Sequence, residues 1–138
     1  FVQVDKIPFF EISMSNLLPG GLLVFAGLII IALAISNYQI SEFIGIHQLR
    51  LNEQPTGGKL QTAGLNAYVR HPLYLGVLLL VWGLFLAFPM KAILGIAIIT
   101  SIYSIIGTKL EEKKLIIEFG DAYVEYQKKV PMLLPFRF

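Results

Sequence analysis

Three long stretches without a charged side chain constrain this chain more than any other feature. Residues 17–36 read LLPGGLLVFAGLIIIALAIS, residues 72–90 read PLYLGVLLLVWGLFLAFPM, and residues 92–108 read AILGIAIITSIYSIIGT. A hydrocarbon core about 30 Å thick is crossed by roughly 17–25 helical residues, and all three runs fall in that window. A helix buried in a water-soluble core is usually shorter and keeps a polar stripe. The runs therefore predict three transmembrane helices. Composition agrees: 56% of the 138 residues are apolar and 14% are charged, against about 25% charged in an average soluble domain. The fold class expected is all-α: an integral membrane bundle of at least three transmembrane helices, ending in an amphipathic cytosolic helical tail, with residues 1–138 as one domain. The first run starts at residue 17, lacks a basic leader and is too long for a signal-peptide core, so an anchor is expected rather than a cleaved signal. The chain begins at Phe1 rather than Met, which leaves spans upstream open.

Only Pro89, Met90 and Lys91 link the second run to the third. Proline cannot continue a helix interior, so the two spans should form a tight antiparallel hairpin. That turn sets the topology. It places Arg70-His71-Pro72, at the start of one span, on the same membrane surface as Lys109-Leu110-Glu111-Glu112, at the end of the other. Nine basic residues (Arg50, Lys59, Arg70, Lys109, Lys113, Lys114, Lys128, Lys129 and Arg137) then share one side, against Lys6 and Lys91 on the other. The excess predicts that the shared side is cytoplasmic. The net charge of +2 gives no argument for a nucleic-acid partner.

Between the spans, residues 42–47 suit a short interfacial helix, and Gln54-Pro55-Thr56-Gly57-Gly58 is a loop by its breakers. In the tail, Leu115, Phe119, Tyr123, Tyr126 and Val130 recur at helical spacing and mark one apolar face. Gly120-Asp121 interrupts that face, predicting two short helices on or under the membrane, ended by Pro131 and Pro135. Gly76 and Gly83, seven apart, suit close helix packing. Trp82 and Tyr103 are expected to pack or meet lipid, and Phe9, Phe10 and Phe136 to anchor at the interface.

Several chemistries are excluded. The glycines form neither a dinucleotide fingerprint nor a phosphate loop. The two histidines, His47 and His71, lack zinc-site spacing, no nucleophile elbow occurs, and no cysteine is present for thiol catalysis. What remains is the open end of the hairpin, where Arg70-His71, flanked by Tyr68 and Tyr74, should meet Glu111-Glu112. Ionisable groups at a membrane boundary suggest a functional site, although a positive-inside anchor beside a solvated tail would use the same residues.

The strings themselves add a resemblance. Residues 60–76, LQTAGLNAYVRHPLYLG, followed by residues 111–131, EEKKLIIEFGDAYVEYQKKVP, resemble the isoprenylcysteine carboxyl methyltransferase family and its bacterial and archaeal relatives, which are similar to the phospholipid methyltransferases. RHP-x-Y-x-G followed at this distance by EE and FG-x-x-Y-x-x-Y is the specific part, and the likeness covers roughly residues 58–136. It implies S-adenosyl-L-methionine as methyl donor, held in a cytosolic pocket of the C-terminal half, and a lipophilic or membrane-embedded acceptor: a prenylcysteine-like carboxylate, a lipid amine or a thiol. By position it implies cofactor contacts at Lys59, Leu60, Gln61, His71, Pro72, Tyr74 and Glu111, with Arg70 and Glu112 at the catalytic centre as pocket supports or substrate contacts. No metal is implied. Two positions depart from the family. Asn66 stands where a tyrosine is expected, removing one aromatic wall. Gly107 stands where the eukaryotic carboxyl methyltransferases resemble one another in carrying an arginine for the substrate carboxylate, and Lys109 is offset from it by two residues. The alternatives are an NADPH-dependent enzyme similar to the sterol reductases, in which Leu73 would be Asn, and a non-catalytic membrane scaffold of the same fold.

Overall fold

A computed structural model describes residues 11–50 and 59–134, with side chains described outside 38–50. The described residues are helical, in the order α1 (Met14–Arg50), a one-turn 3-10 helix (Gly64–Ala67), α2 (Pro72–Ala87), α3 (Lys91–Phe119) and α4 (Asp121–Lys129). Two helices are long and apolar enough to cross a membrane, Met14–Asn37 within α1 and Lys91–Phe119, and only 17% of the apolar window of each is buried inside the protein. The core helix of a soluble protein would be mostly buried. Here Leu18, Leu22, Phe25 and Leu33 on α1 and Ile96, Ile99, Ile102 and Tyr103 on α3 are exposed, the arrangement lipid rewards. α2 has 16 residues, about 24 Å of helix, and ends at Ala87 rather than Met90. Phe88 turns extended (φ −131°, ψ 84°) ahead of Pro89, and α3 begins at Lys91, so the expected tight hairpin forms.

Glycines bring α1 and α2 into backbone contact. A methyl group added to Gly83 would lie 2.8 Å from the Val24 nitrogen and 2.9 Å from the Gly20 carbonyl oxygen. One added to Gly27 would lie 2.7 Å from the Gly76 carbonyl oxygen. Gly20 faces Gly83 and Gly27 faces Gly76, so the helices run antiparallel with a seven-residue repeat on each side of the seam. Where lipid offers no hydrophobic driving force between helices, such close approach supplies the van der Waals contact. α2 meets α3 through Trp82, whose Nε1 donates to Ser101 Oγ at 3.0 Å; that hydroxyl donates in turn to the Ala97 carbonyl at 2.7 Å.

Two expectations are corrected. Residues 42–47 are not a separate helix, because the backbone of α1 continues through them to Arg50. The tail does not start a new helix after Thr108: α3 runs on to Phe119, since Lys109 to Glu118 are helix formers with no breaker until Gly120. Gly120 adopts φ 57°, ψ −132°, a conformation that L side chains rarely take, and the chain reverses there into α4. The apolar stripe read from the tail is present as one cluster: Tyr123, Tyr126 and Val130 are buried, with Leu115, Phe119 and Leu60 packed against them. α4 thus turns its apolar face onto the end of α3 and the segment before α2, and its charged residues outward. The loop at residues 54–58 and the anchors Phe9, Phe10 and Phe136 lie outside the described residues.

Overpacking the seam should be costly. Gly83→Val is expected to lower stability by about 1–3 kcal/mol, read as a lower melting temperature in detergent, while Gly21→Val, where an added Cβ meets nothing within 4 Å, should change it far less.

Candidate functional site

The hairpin and the reversal at Gly120 bring three segments together: residues 70–72 at the start of α2, the middle of α3, and the end of α4 with the residues after it. Main-chain bonds fix the meeting point, with Arg70 N donating to the Pro131 carbonyl at 2.9 Å and His71 N to the Met132 carbonyl at 3.1 Å. The Arg70 side chain adds three more. Nε donates to Glu112 Oε1 at 2.7 Å, and Nη1 donates to the carbonyls of Gln127 at 2.9 Å and Val130 at 2.8 Å. Those carbonyls belong to the C-terminal end of α4, where helix geometry leaves acceptors unpaired and a cation is favoured.

Glu112 is the other half of the arrangement. Besides Arg70, its Oε1 lies 3.2 Å from His71 Nε2, and its Oε2 accepts from Gln127 Nε2 at 3.0 Å. The Arg70 and Glu112 side chains are 10% and 12% exposed. An ion pair this deep needs partners for its remaining donors and acceptors, and here Arg70 Nη1 and both Glu112 oxygens have them. His71, itself buried, has Nδ1 3.6 Å from Glu111 Oε2, so its ring stands between the two carboxylates. Glu111 differs from its neighbour: half its side chain is exposed, toward an adjoining cavity.

That cavity, about 920 Å³, is lined among others by Lys59, Leu60, Gln61, Arg70, His71, Pro72, Tyr74 and Glu111. Eight of the nine residues assigned from the sequence thus face one space. Glu112 does not line it and holds Arg70 and His71 from behind. Tyr68 is exposed and takes no part in the lining. Tyr74 does, with its ring edge-on to His71 at 6.0 Å. Asn66 lines the cavity too, donating through its amide to the Gln61 carbonyl at 3.2 Å. Phe119 and Tyr126 bring aromatic rings to the same cavity.

The sequence reading missed Gln127, which was visible only as a polar residue on a tail helix, and the hydroxyl of Tyr126, which donates to the Asn66 carbonyl. Burial, with the Glu112 charge adding to it and Arg70 opposing, pushes the Tyr126 phenol up to about 12. Tyr123 is raised further, by burial first and then by Glu112, and its hydroxyl is enclosed without a hydrogen-bond partner among the described residues.

Residues 19–122 match the family model for phospholipid methyltransferases. Methanethiol S-methyltransferase 1 of Bradyrhizobium diazoefficiens is 35% identical over 118 residues, covering 82% of this chain and 40% of the relative. Methanethiol S-methyltransferase of Crocosphaera subtropica is 36% identical over 109 residues, covering 74% and 41%. Protein-S-isoprenylcysteine O-methyltransferase of Schizosaccharomyces pombe is 37% identical over 83 residues, covering 55% and 33%. The chain therefore belongs to the phospholipid methyltransferase family, in the branch that includes the isoprenylcysteine methyltransferases. It spans about two fifths of the length of the first two relatives. No solved structure matches it at a significant level. These relatives are methyltransferases, which does not favour the reductase-like alternative.

Two outcomes test the site as built. Glu112→Ala leaves the Arg70 guanidinium buried without its carboxylate, and should cost about 3–5 kcal/mol in denaturant unfolding, with Glu112→Gln milder. Tyr126 is held protonated when folded, so its contribution is present below pH 10, the ordinary tyrosine value, and is lost as pH rises toward 12. The melting temperature of the wild type should therefore fall more steeply across that interval than that of Tyr126→Phe.

Proposed function

We propose that this chain forms the donor-binding part of an integral membrane methyltransferase that uses S-adenosyl-L-methionine to methylate a lipophilic or small acceptor reached from the bilayer, a thiol before other nucleophiles. The cavity carries this reading, because the residues that the family likeness selects as cofactor contacts converge on it. Its volume lies within the roughly 300–1,000 Å³ of small-molecule sites, and its donor set suits the cofactor's chemistry. Glu111 offers a carboxylate to an ammonium or to ribose hydroxyls, Lys59 offers a donor to a carboxylate, and Phe119, Tyr126 and Leu115 offer a wall for a purine. When bound, the cofactor supplies an electrophilic methyl group on a sulfonium.

The chain's own residues position and exclude water. Arg70 and Glu112 act as positioning residues: they fix His71 and lock the end of α4 against the start of α2. With the donor bound, Glu111, backed by His71 Nδ1 at 3.6 Å, would take the proton of a thiol acceptor, and the donor would supply the methyl group to its sulfur. The names of the methanethiol relatives support a thiol. We place α2 as a third span, shortened and held against α1 by the glycine seam. The basic residues of the segments that form the site, Lys59, Lys109, Lys113 and Lys114 among them, support a cytoplasmic site by the positive-inside rule.

Purified protein in detergent or nanodiscs should bind S-adenosylhomocysteine in calorimetry, and Glu111→Gln should weaken that binding by about tenfold. Absence of binding at millimolar ligand would leave a non-catalytic scaffold as the better reading.

A further inference from the structure

A second cavity, of about 520 Å³, runs between α2, α3 and the strap of residues 131–134, and it shares no lining residue with the first. Leu75 and Leu133 in its wall are buried, while Trp82, Ile105 and Leu134 are exposed, so the cavity is a groove open along one side. Both helices border it from within their apolar stretches, and it therefore opens to the bilayer. The lining side chains carry two hydrogen-bond donors, and both are in use: Trp82 Nε1 donates to Ser101 Oγ, and that hydroxyl to the Ala97 carbonyl. Water would gain no partner here, and apolar voids stay dry. Size narrows the occupant further. From Leu75 to Trp82 the groove follows seven residues of α2, about 10 Å. A helix of that length, about 10–12 Å across with its side chains, takes up roughly 800–1,200 Å³, more than the groove holds. A hydrocarbon chain is thin enough to lie in it. Charge then marks one end. Lys109 and Lys113, both exposed, follow Ile105 along α3 in steps of four, beyond the apolar stretch, and such steps keep to nearly one helix face. Neither lysine is in an ion pair among the described residues.

We propose that this groove binds one acyl chain of an anionic phospholipid whose phosphate meets Lys109 and Lys113. The chain fills space in which the lining atoms would otherwise lack van der Waals partners, and the two cations lie where the headgroups begin. Such a lipid is a fixed component rather than a methyl acceptor, since the groove and the methyl-donor cavity have no residue in common. Its binding has a structural consequence. The acyl chain bears on residues 131–134, whose first two carbonyls receive the Arg70 and His71 amides at 2.9 and 3.1 Å, so an occupied groove keeps the strap in place against the start of α2. The lipid site does not depend on which reaction the other cavity supports.

Trp82 is the chain's one tryptophan, and its fluorescence reports on the groove directly. The full chain is placed in phosphatidylcholine nanodiscs containing a small, varied fraction of a lipid with brominated acyl chains, either phosphatidylglycerol or phosphatidylcholine. Brominated phosphatidylglycerol should reach half-maximal quenching at a fraction at least about fivefold lower than brominated phosphatidylcholine, and unbrominated phosphatidylglycerol should reverse it. Replacing both lysines, Lys109→Gln with Lys113→Gln, should remove that difference. Ile105→Phe, which fills the groove, should remove it too, whereas Ile99→Phe, on an exposed part of α3 outside the groove, should leave it. Should Ile105→Phe not fold, Leu78→Phe fills the groove from the α2 side. Equal quenching by the two lipids overturns the proposal. A preference that survives Ile105→Phe is headgroup attraction alone, one that survives loss of both lysines does not involve the phosphate contact, and either result overturns it as well. So does the absence of quenching by both lipids, which would mean that a further segment of protein or a second copy of the chain covers the groove.

Discussion

The carboxylate of Glu112 is the point on which the rest of the structure depends. It sits on a helix that runs out of the apolar region, and it receives Arg70, His71 and Gln127 from two other elements. A lone carboxylate at this depth would be strongly disfavoured, and so would a lone guanidinium. Together, with main-chain carbonyls taking the Arg70 Nη1 protons, each removes much of the reason the other would stay in water. The consequence is geometric. With Arg70 fixed, His71 has one orientation between its two carboxylates, and the end of α4 is held against the start of α2. Glu111, one residue away on α3, is left over to face the cavity. Adjacent acids of the same type thus take different places, one enclosed and one open, because a helix turns about 100° per residue.

The membrane-level half rests on different physics. Among the described residues of the α1–α2 seam no charge and no side-chain hydrogen bond operates, and the contact is backbone against backbone at four glycines. This closeness gives a helix of only 16 residues a firm base from which its first turn presents His71, Pro72 and Tyr74. α3 connects the two regimes as one uninterrupted helix, apolar and exposed through Tyr103 and then carrying Glu111 and Glu112.

Much of this was legible in the sequence, for reasons that can be named. The hairpin followed from the short Pro89 link, and the meeting of Arg70-His71 with Glu111-Glu112 followed from the hairpin by geometry. The aromatic stripe of the tail was readable because helical spacing survives across Gly120. What escaped has causes as definite. Lys109 and the charges after it look like the end of a membrane helix, but charge ends the apolar run, not the helix, and nothing breaks the backbone before Gly120. The partners of Arg70 are largely main-chain carbonyls, which carry no residue signature. Gly76 and Gly83 announced a packing face, yet nothing in their spacing named Gly20 and Gly27 as the opposite side.

The closure of the Arg70 corner also has an order in time. The carbonyls that accept Arg70 belong to residues 57 and 60 positions further along, and the acceptors for its own and the following amide come later still, at Pro131 and Met132. The main-chain acceptors that complete this corner are therefore made after both arms of the hairpin, so the hairpin alone does not carry them and the corner depends on the chain as far as Met132.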